Sequence, residues 1–315
     1  MYSFICPQKN QRGSIDFNAG YGWILLAGVA WGSIGVFGRW LLDTGLTPWQ
    51  VAWVRSAVAL PGLLLLLLCQ EGGFPRLKRR DLILFAAFGL VNGALYNIFY
   101  FTAVELVGVT VAVILLYTAP ALATLLARFI FKEQLSWGKA VAVVLSLGGC
   151  FLVARGYDVT ALRLNLMGIT AGIMSGICYA CFGLFAKKAR ERFSAVTTVF
   201  YCTLIGLLLL TIIRPPLGLA PLVRTGSFWG SALGLGLWGT LVPWVSYSIG
   251  VAQVEASRAA VVASVEPVVG VALAVTLLGE RIQPGQIVGM ILVLTAVMCA
   301  QSESLVSKEV SGTNE

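Results

Sequence analysis

Long apolar runs separated by short polar clusters set the pattern of the chain. Leu106 to Ala127 and Leu164 to Ala186 carry no charged residue, nor do Phe193 to Ile213, Thr225 to Val254 and Ile282 to Ser302. At about 1.5 Å rise per residue, some 20 residues in a helix cross a hydrocarbon core of roughly 30 Å. Backbone polar groups in lipid must be satisfied within the segment, so the runs predict helices. An outer-membrane barrel would instead alternate apolar and polar positions over about ten residues at a time. Ten spans fit, at roughly 20–41, 49–70, 82–103, 108–131, 137–155, 166–186, 194–213, 228–250, 257–278 and 284–301. Asp43, Gly45 and Pro48 divide the first two, and Gly72, Gly73, Pro75 and a basic run from Arg76 to Arg80 divide the next pair. Pro215, Pro216, Gly218 and Pro221 divide the seventh from the eighth. The short break near Glu105–Gly108 divides the third from the fourth.

An internal repeat organises these spans. Shifting the chain by 147 residues places Tyr100 on Tyr247, Val104 on Val251, Val107 on Val254 and Ala112 on Ala259. The same shift places Pro120 on Pro267, Leu126 on Leu273, Ala127 on Ala274, Glu133 on Glu280 and Gly138 on Gly285. Apolar composition alone gives chance matches, but not a mid-span proline, a span-end glutamate and a following glycine at one offset. Near the first span the offset becomes 148, and Ala30–Phe37 lies on Cys178–Phe185. Each half then holds five spans, and an odd number makes the halves enter the membrane in opposite senses. The expected architecture is an all-α membrane protein of ten transmembrane helices in two inverted five-helix repeats. The repeats are 20–155 and 166–301, joined by 156–165 and flanked by tails 1–19 and 302–315.

Composition narrows the classes. The chain of 315 residues is 58% hydrophobic and only 11% charged, against about 25% charged in a soluble domain. That excludes soluble enzymes, nucleic-acid binders and disordered scaffolds. The net charge of +8 sits in short clusters between apolar runs, where it orients a membrane protein. With both tails cytoplasmic, inside segments hold 15 Lys and Arg and outside segments hold 6, with Arg55 within span 2. The bias predicts a multi-pass protein of the plasma or inner membrane with both termini inside. Histidine is absent, which excludes imidazole metal ligands and His-based dyads. No G-x-x-x-x-G-K-[ST] phosphate loop is present, so no cofactor, metal or nucleic-acid partner is expected. Cys178 and Cys181 form a C-x-x-C spacing in an apolar span without further ligands, and read as packing.

The duplication resembles the drug/metabolite transporter superfamily, in its EamA-type branch. The resemblance covers residues 20–301. Its most specific part is Leu115, Tyr117, Thr118, Ala119 and Pro120, running to Lys132, Glu133 and Gly138. The second copy reads Ser264, Val265, Glu266 and Pro267, then Gly279, Glu280 and Gly285. The resemblance implies transport of small organic solutes by alternating access, through a central cavity lined by spans 1, 3, 4, 6, 8 and 9. Substrate, direction and coupling are left open by it.

Several residues carry candidate chemistry. Glu266 lies deep in span 9, where a carboxylate is costly and faces a cavity or partner. It reads as a cation-binding or protonatable group, or as a structural carboxylate. Trp31 and Ser33 on span 1, Asn92, Tyr96 and Tyr100 on span 3, Tyr117 on span 4, Tyr179 on span 6, and Trp244 and Tyr247 on span 8 are candidate solute contacts. Aromatic faces hold cations or apolar groups, while hydroxyls and amides fix orientation. At helical spacing, Asn92 shares a face with Tyr96, and Tyr96 with Tyr100. Arg55, a few residues into span 2, reads first as snorkelling to the outer interface, and otherwise as pairing an acid or a substrate carboxylate. Glu133 and Glu280 read as structural caps or gate residues, and Pro120 and Pro267 as kinks or hinges. The function expected is a secondary transporter exporting metabolites, amino acids or drug-like compounds. Its partners are a small-molecule substrate and the bilayer, with coupling to protons, another ion or substrate exchange. An importer of a cationic or zwitterionic nutrient, or a non-transporting sensor or channel, is the alternative.

Overall fold

The computed structural model describes residues 17–119, 122, 137–153, 155, 157–217, 219, 226–251, 253 and 262–312. The described residues contain helices and connecting turns and no strand. The first span is two helices, α1 (Phe17–Gly32) and α2 (Ile34–Asp43), separated at Ser33. Helix α3 (Pro48–Glu71) comes next. Its start is set by Thr47, whose hydroxyl accepts from the Gln50 N–H while the Gln50 side chain accepts from the Thr47 N–H, with Pro48 at the first helical position. Gly72 in the left-handed region ends it.

The chain continues through α4 (Arg79–Phe88), a π-helical segment at Gly89–Leu95, and α5 (Tyr96–Leu116). Helix α5 is broken at Gly108, where φ is 83°. Beyond it lie α6 (Trp137–Val153), α7 (Val159–Ala189) and α8 (Ala195–Ile213), the last started by the Ser194 side chain. Then come α9 (Gly226–Leu233), a second π-helical segment at Gly234–Leu241, and α10 (Val242–Val251). Helices α11 (Val265–Leu278) and α12 (Pro284–Gly312) complete the chain.

Among the described residues, six stretches are long and apolar enough to cross a membrane, and three shorter apolar helices lie at Val143–Val153, Val265–Leu278 and Pro284–Ala296. This differs from the ten spans expected. The third and fourth run together as one stretch, Arg79–Leu116, interrupted only at Gly108. The remainder of the fourth and the start of the ninth lie outside the described residues, as do Pro120 and Glu133. The connection expected at 156–165 is helical from Val159, and the tail expected after 301 continues α12 to Gly312. Uninterrupted 3.6-residue hydrogen bonding needs no boundary where polarity changes, so helix ends and hydrophobic ends need not coincide.

Packing is close where small residues meet. Helix α6 runs against α12, α5 against α7, α1 against α10 and α11, and α3 against α8 and the second π-segment. The main core joins Phe101, Val104, Val109, Ala112 and Leu116 of α5 to Leu41, Val51, Val54 and Leu235. Large apolar side chains such as Leu65, Ile83, Met167 and Ile212 face outward, as lipid solvent permits. At Gly93 the backbone of α8 leaves no space, since a Cβ there would lie 2.8 Å from the Gly206 Cα. Gly93→Leu is expected to lower stability by about 1–3 kcal/mol through overpacking. Gly230→Leu, which meets open space, is expected to leave it near wild type. Thermal unfolding of the two detergent-purified variants checks the difference.

Candidate functional site

The site begins with one half-buried cation. Arg55, in the second turn of α3, turns its guanidinium inward rather than toward an interface. Its Nε donates to Thr240 Oγ1 at 3.0 Å and its Nη1 to Asn97 Oδ1 at 2.7 Å. The interface reading of Arg55 is thereby corrected. Depth along one helix does not reveal that two acceptors on other helices are waiting for the side chain.

Those acceptors exist because of the two π-helical segments. In a π-turn the backbone bonds run five residues apart, which inserts one residue and shifts the faces downstream. The Asn97 amide donates to the Asn92 carbonyl, five residues back, at 3.3 Å and to the Gly93 carbonyl at 2.9 Å. The Thr240 hydroxyl donates to the Leu235 carbonyl, again five residues back, at 3.1 Å. Each side chain therefore covers its own loosened turn and offers an oxygen to Arg55. The Tyr96 side chain also lies against Arg55 as a hydrogen-bonding neighbour.

Around this point lies a cavity of about 470 Å³. Arg55, Asn92, Tyr96, Asn97, Thr240 and Glu266 contribute its polar lining, with Trp31, Tyr117, Tyr179, Phe182, Trp244 and Tyr247 its aromatic lining. The rings form a connected series. Tyr247 and Trp31 have centroids 5.5 Å apart, Trp31 and Trp244 5.9 Å, Phe182 and Trp244 5.7 Å, and Tyr96 and Tyr179 5.9 Å. Such distances suit offset and edge-to-face contacts. The lining continues to Ala186, Arg190 and Ala195, at the α7–α8 junction. No residue of the opposite ends of the helices, at Asp43, Gly108 or Glu280, belongs to it.

Glu266 is the cavity's acid. It sits in the first turn of α11, where helical N–H dipoles favour a carboxylate. The Tyr117 hydroxyl is in hydrogen-bonding reach of it. Arg55 acts on Glu266 electrostatically, yet the described residues hold no ion pair between the two. Pro267, expected to kink a continuous span, is the third residue of α11, after a turn at Ser264. In a first turn the missing N–H has no intrahelical partner to lose.

Two of the residues expected at the site are elsewhere. The Ser33 hydroxyl donates to the Ala30 carbonyl at 2.7 Å and is buried outside the cavity lining. Tyr100 stacks on Tyr96 but is buried in the main core beside Phe101. Tyr100 keeps the Tyr96 face of α5 but lies one turn further along, where Phe101 and Val104 close the core, so its depth along the helix takes it out of the lining. Phe182, Arg190, Thr198, Thr240 and Ser264 line the cavity without having been anticipated. Phe182 was within reach of the sequence, three residues after Tyr179 on one helix face.

Glu280 lies away from the cavity, just after Gly279, which ends α11 in the left-handed region. Its carboxylate accepts from the Val109 N–H at 2.6 Å and the Thr110 N–H at 2.9 Å, the first free donors after the break at Gly108.

Comparison with known proteins gives this geometry a family. A protein of Archaeoglobus fulgidus named "Uncharacterized transporter" is 29% identical over 280 residues, covering 89% of this chain and 95% of its own length. "Uncharacterized transporter YwfM" of Bacillus subtilis is 25% identical over 276 residues, covering 87% of this chain and 91% of its own. A crystal structure of 18% identity aligns at a TM-score of 0.59, covering 92% of this chain and 99% of that one, and shares the fold. The sequence signature of the EamA-like transporter family matches residues 18–155 and 166–300. The chain, a multi-pass helical membrane protein, belongs to the EamA-like transporter family.

Proposed function

We propose that this chain is a secondary transporter that exports small zwitterionic solutes of the amino-acid type by alternating access. One observation carries the reading. A single cavity offers Arg55 and Glu266 at its wall, with Arg190 toward one end and no ion pair between Arg55 and Glu266. Two unpaired opposite charges in a low-dielectric site are costly, and a ligand carrying both signs satisfies both. The substrate carboxylate goes to the guanidinium and the ammonium to Glu266. The aromatic series around Trp31 and Trp244 takes the apolar remainder.

The architecture proposed is ten spans in two inverted halves. Contacts related by the sequence offset support it. A Cβ on Gly89 would meet Ile205 and the Gly206 nitrogen, and one on Gly236, 147 residues later, would meet Val58 and the Ala59 nitrogen. Each partner pair differs by 147 as well. Likewise Gly28 faces Val265 and the Ala263 carbonyl, while Gly176 faces Thr118 and the Leu116 carbonyl. The two π-segments fall at overlapping places in the two halves. The Lys and Arg bias supports cytoplasmic termini. In that orientation the Arg190 and Ala195 end of the cavity lies on the cytoplasmic side, where an exporter takes up its load.

Three outcomes are expected. In proteoliposomes, a panel of amino acids, organic cations and organic anions should show saturable counterflow for zwitterions. Arg55→Lys, which keeps the charge but not the fork between Thr240 and Asn97, should lower it roughly tenfold, the equivalent of about 1.4 kcal/mol. A ligand response without flux would make the protein a sensor.

Glu266→Gln should reduce transport more than Glu133→Gln, because an intramembrane carboxylate depends on its partners while an interfacial one has water. Transport measured across pH separates its roles. Lost proton dependence with retained exchange identifies coupling, and loss of exchange at every pH identifies binding.

Cysteines placed singly at Arg76 to Arg80 should react with an impermeant thiol reagent only from the cytoplasmic side. Labelling of that loop from outside the cell would reverse the orientation.

A further inference from the structure

We propose that Glu280 is the latch of a gate at the end of the helices opposite Arg190. The inference rests on the carrier reading and names the contact that such a carrier must break. A central cavity that changes sides needs one closed end in each state, and the structure holds this end closed by side chains that bind backbone of neighbouring spans.

The latch is built across a chain break. Gly108, at φ 83°, interrupts α5 and leaves two helix ends facing each other. The end before it presents the Val104 and Glu105 carbonyls, which accept from Arg39 Nη1 at 3.4 and 3.3 Å. The end after it presents the Val109 and Thr110 N–H groups, which Glu280 binds with both carboxylate oxygens. Arg39 comes from α2 and Glu280 from the turn after α11. The clamp therefore ties three helices to one another at a single point. Both termini of the break carry helix-dipole charge of the sign their partner complements.

Space lies on both sides of this clamp. A second cavity of about 580 Å³ is lined by Arg39, Gly108, Thr110 and Glu280. It shares no lining residue with the central cavity. Tyr100, Val109 and Val113 are buried outside the central lining, and the space beside Gly35 is filled by Val109 and the Tyr100 hydroxyl. Along α5, Tyr100 and Val113 lie between the central lining at Tyr96 and Tyr117 and the second cavity, or vestibule, at Gly108 and Thr110, and form a packed wall. Releasing Glu280 frees the N-terminus of the Val109–Leu116 segment from α11 and lets the wall part. The Thr110 hydroxyl is buried in this state without a hydrogen-bond partner, as befits a group at a contact that is remade in another state.

The test reads which side of the central cavity is open and needs no solute. In a background without the native cysteines, Ala263→Cys places a thiol in the central lining. An impermeant thiol reagent is applied from the vestibule side and from the opposite side in separate preparations. Glu280→Ala should raise the ratio of vestibule-side to opposite-side labelling roughly tenfold, and Arg39→Ala should move it in the same direction. Glu280→Gln, which keeps one acceptor oxygen and the side-chain size, should move it by less. A ratio unchanged in Glu280→Ala and Glu280→Gln, in protein that remains monodisperse, overturns the latch. A lowered unfolding temperature with an unchanged ratio also overturns it and leaves Glu280 a cap alone. A shifted ratio in a protein with no flux for any solute keeps the latch and removes the carrier reading.

Discussion

A guanidinium inside a helical bundle in lipid must find acceptors, and the arrangement of the site is a consequence of that need. A guanidinium carries a delocalised charge and five donors, so the surroundings of Arg55 must adapt to it. They adapt through backbone. Each π-segment adds one residue to a turn, loosens the hydrogen-bond ladder and brings one polar side chain, Asn97 or Thr240, to the cation. Hydrogen bonds to a charged group contribute about 1.5–3 kcal/mol each. One turn beyond the cavity the same face of the helix enters the core, so Tyr96 lines the cavity while Tyr100 stacks on it from the core.

The two halves of the sequence agree where they pack and differ where they carry charge. At the 147-residue offset, Arg55 stands opposite Cys202 and Glu266 opposite Ala119. Cys202 and Ala119 are buried, and the Cys202 thiol turns to the Phe88 carbonyl. The shared positions, such as Gly89 with Gly236, set the helix distances. The unshared ones place Arg55 and Glu266 in the common cavity, whose lining also reaches Arg190.

The two ends of the bundle are built from different interactions. At the Arg190 end, Asp81 pairs with Arg192, joining α4 to the α7–α8 junction, and the cavity lining reaches Ala186, Arg190 and Ala195. At the Gly108 end, side chains bind helix termini and the core is continuous. Charged side chains on backbone termini make directional contacts that leave the hydrogen bonds within each helix intact.

The sequence by itself determined that this is a helical membrane protein, that its chain is duplicated, and which residues are candidates for contact with a solute. Spans follow from the length of apolar runs, and the duplication from matched prolines, glutamates and glycines, which are properties of order along the chain. It also placed Trp31, Asn92, Tyr96, Tyr117, Tyr179, Trp244, Tyr247 and Glu266 among the solute candidates, all of which the fold gathers around one cavity. Tertiary structure alone decided that Arg55 faces inward, that Ser33 and Tyr100 do not join the lining, and that Glu280 binds the helix start at Val109. The physical reason is that a side chain's surroundings depend on which neighbouring helix lies at its depth, which order along one helix does not record.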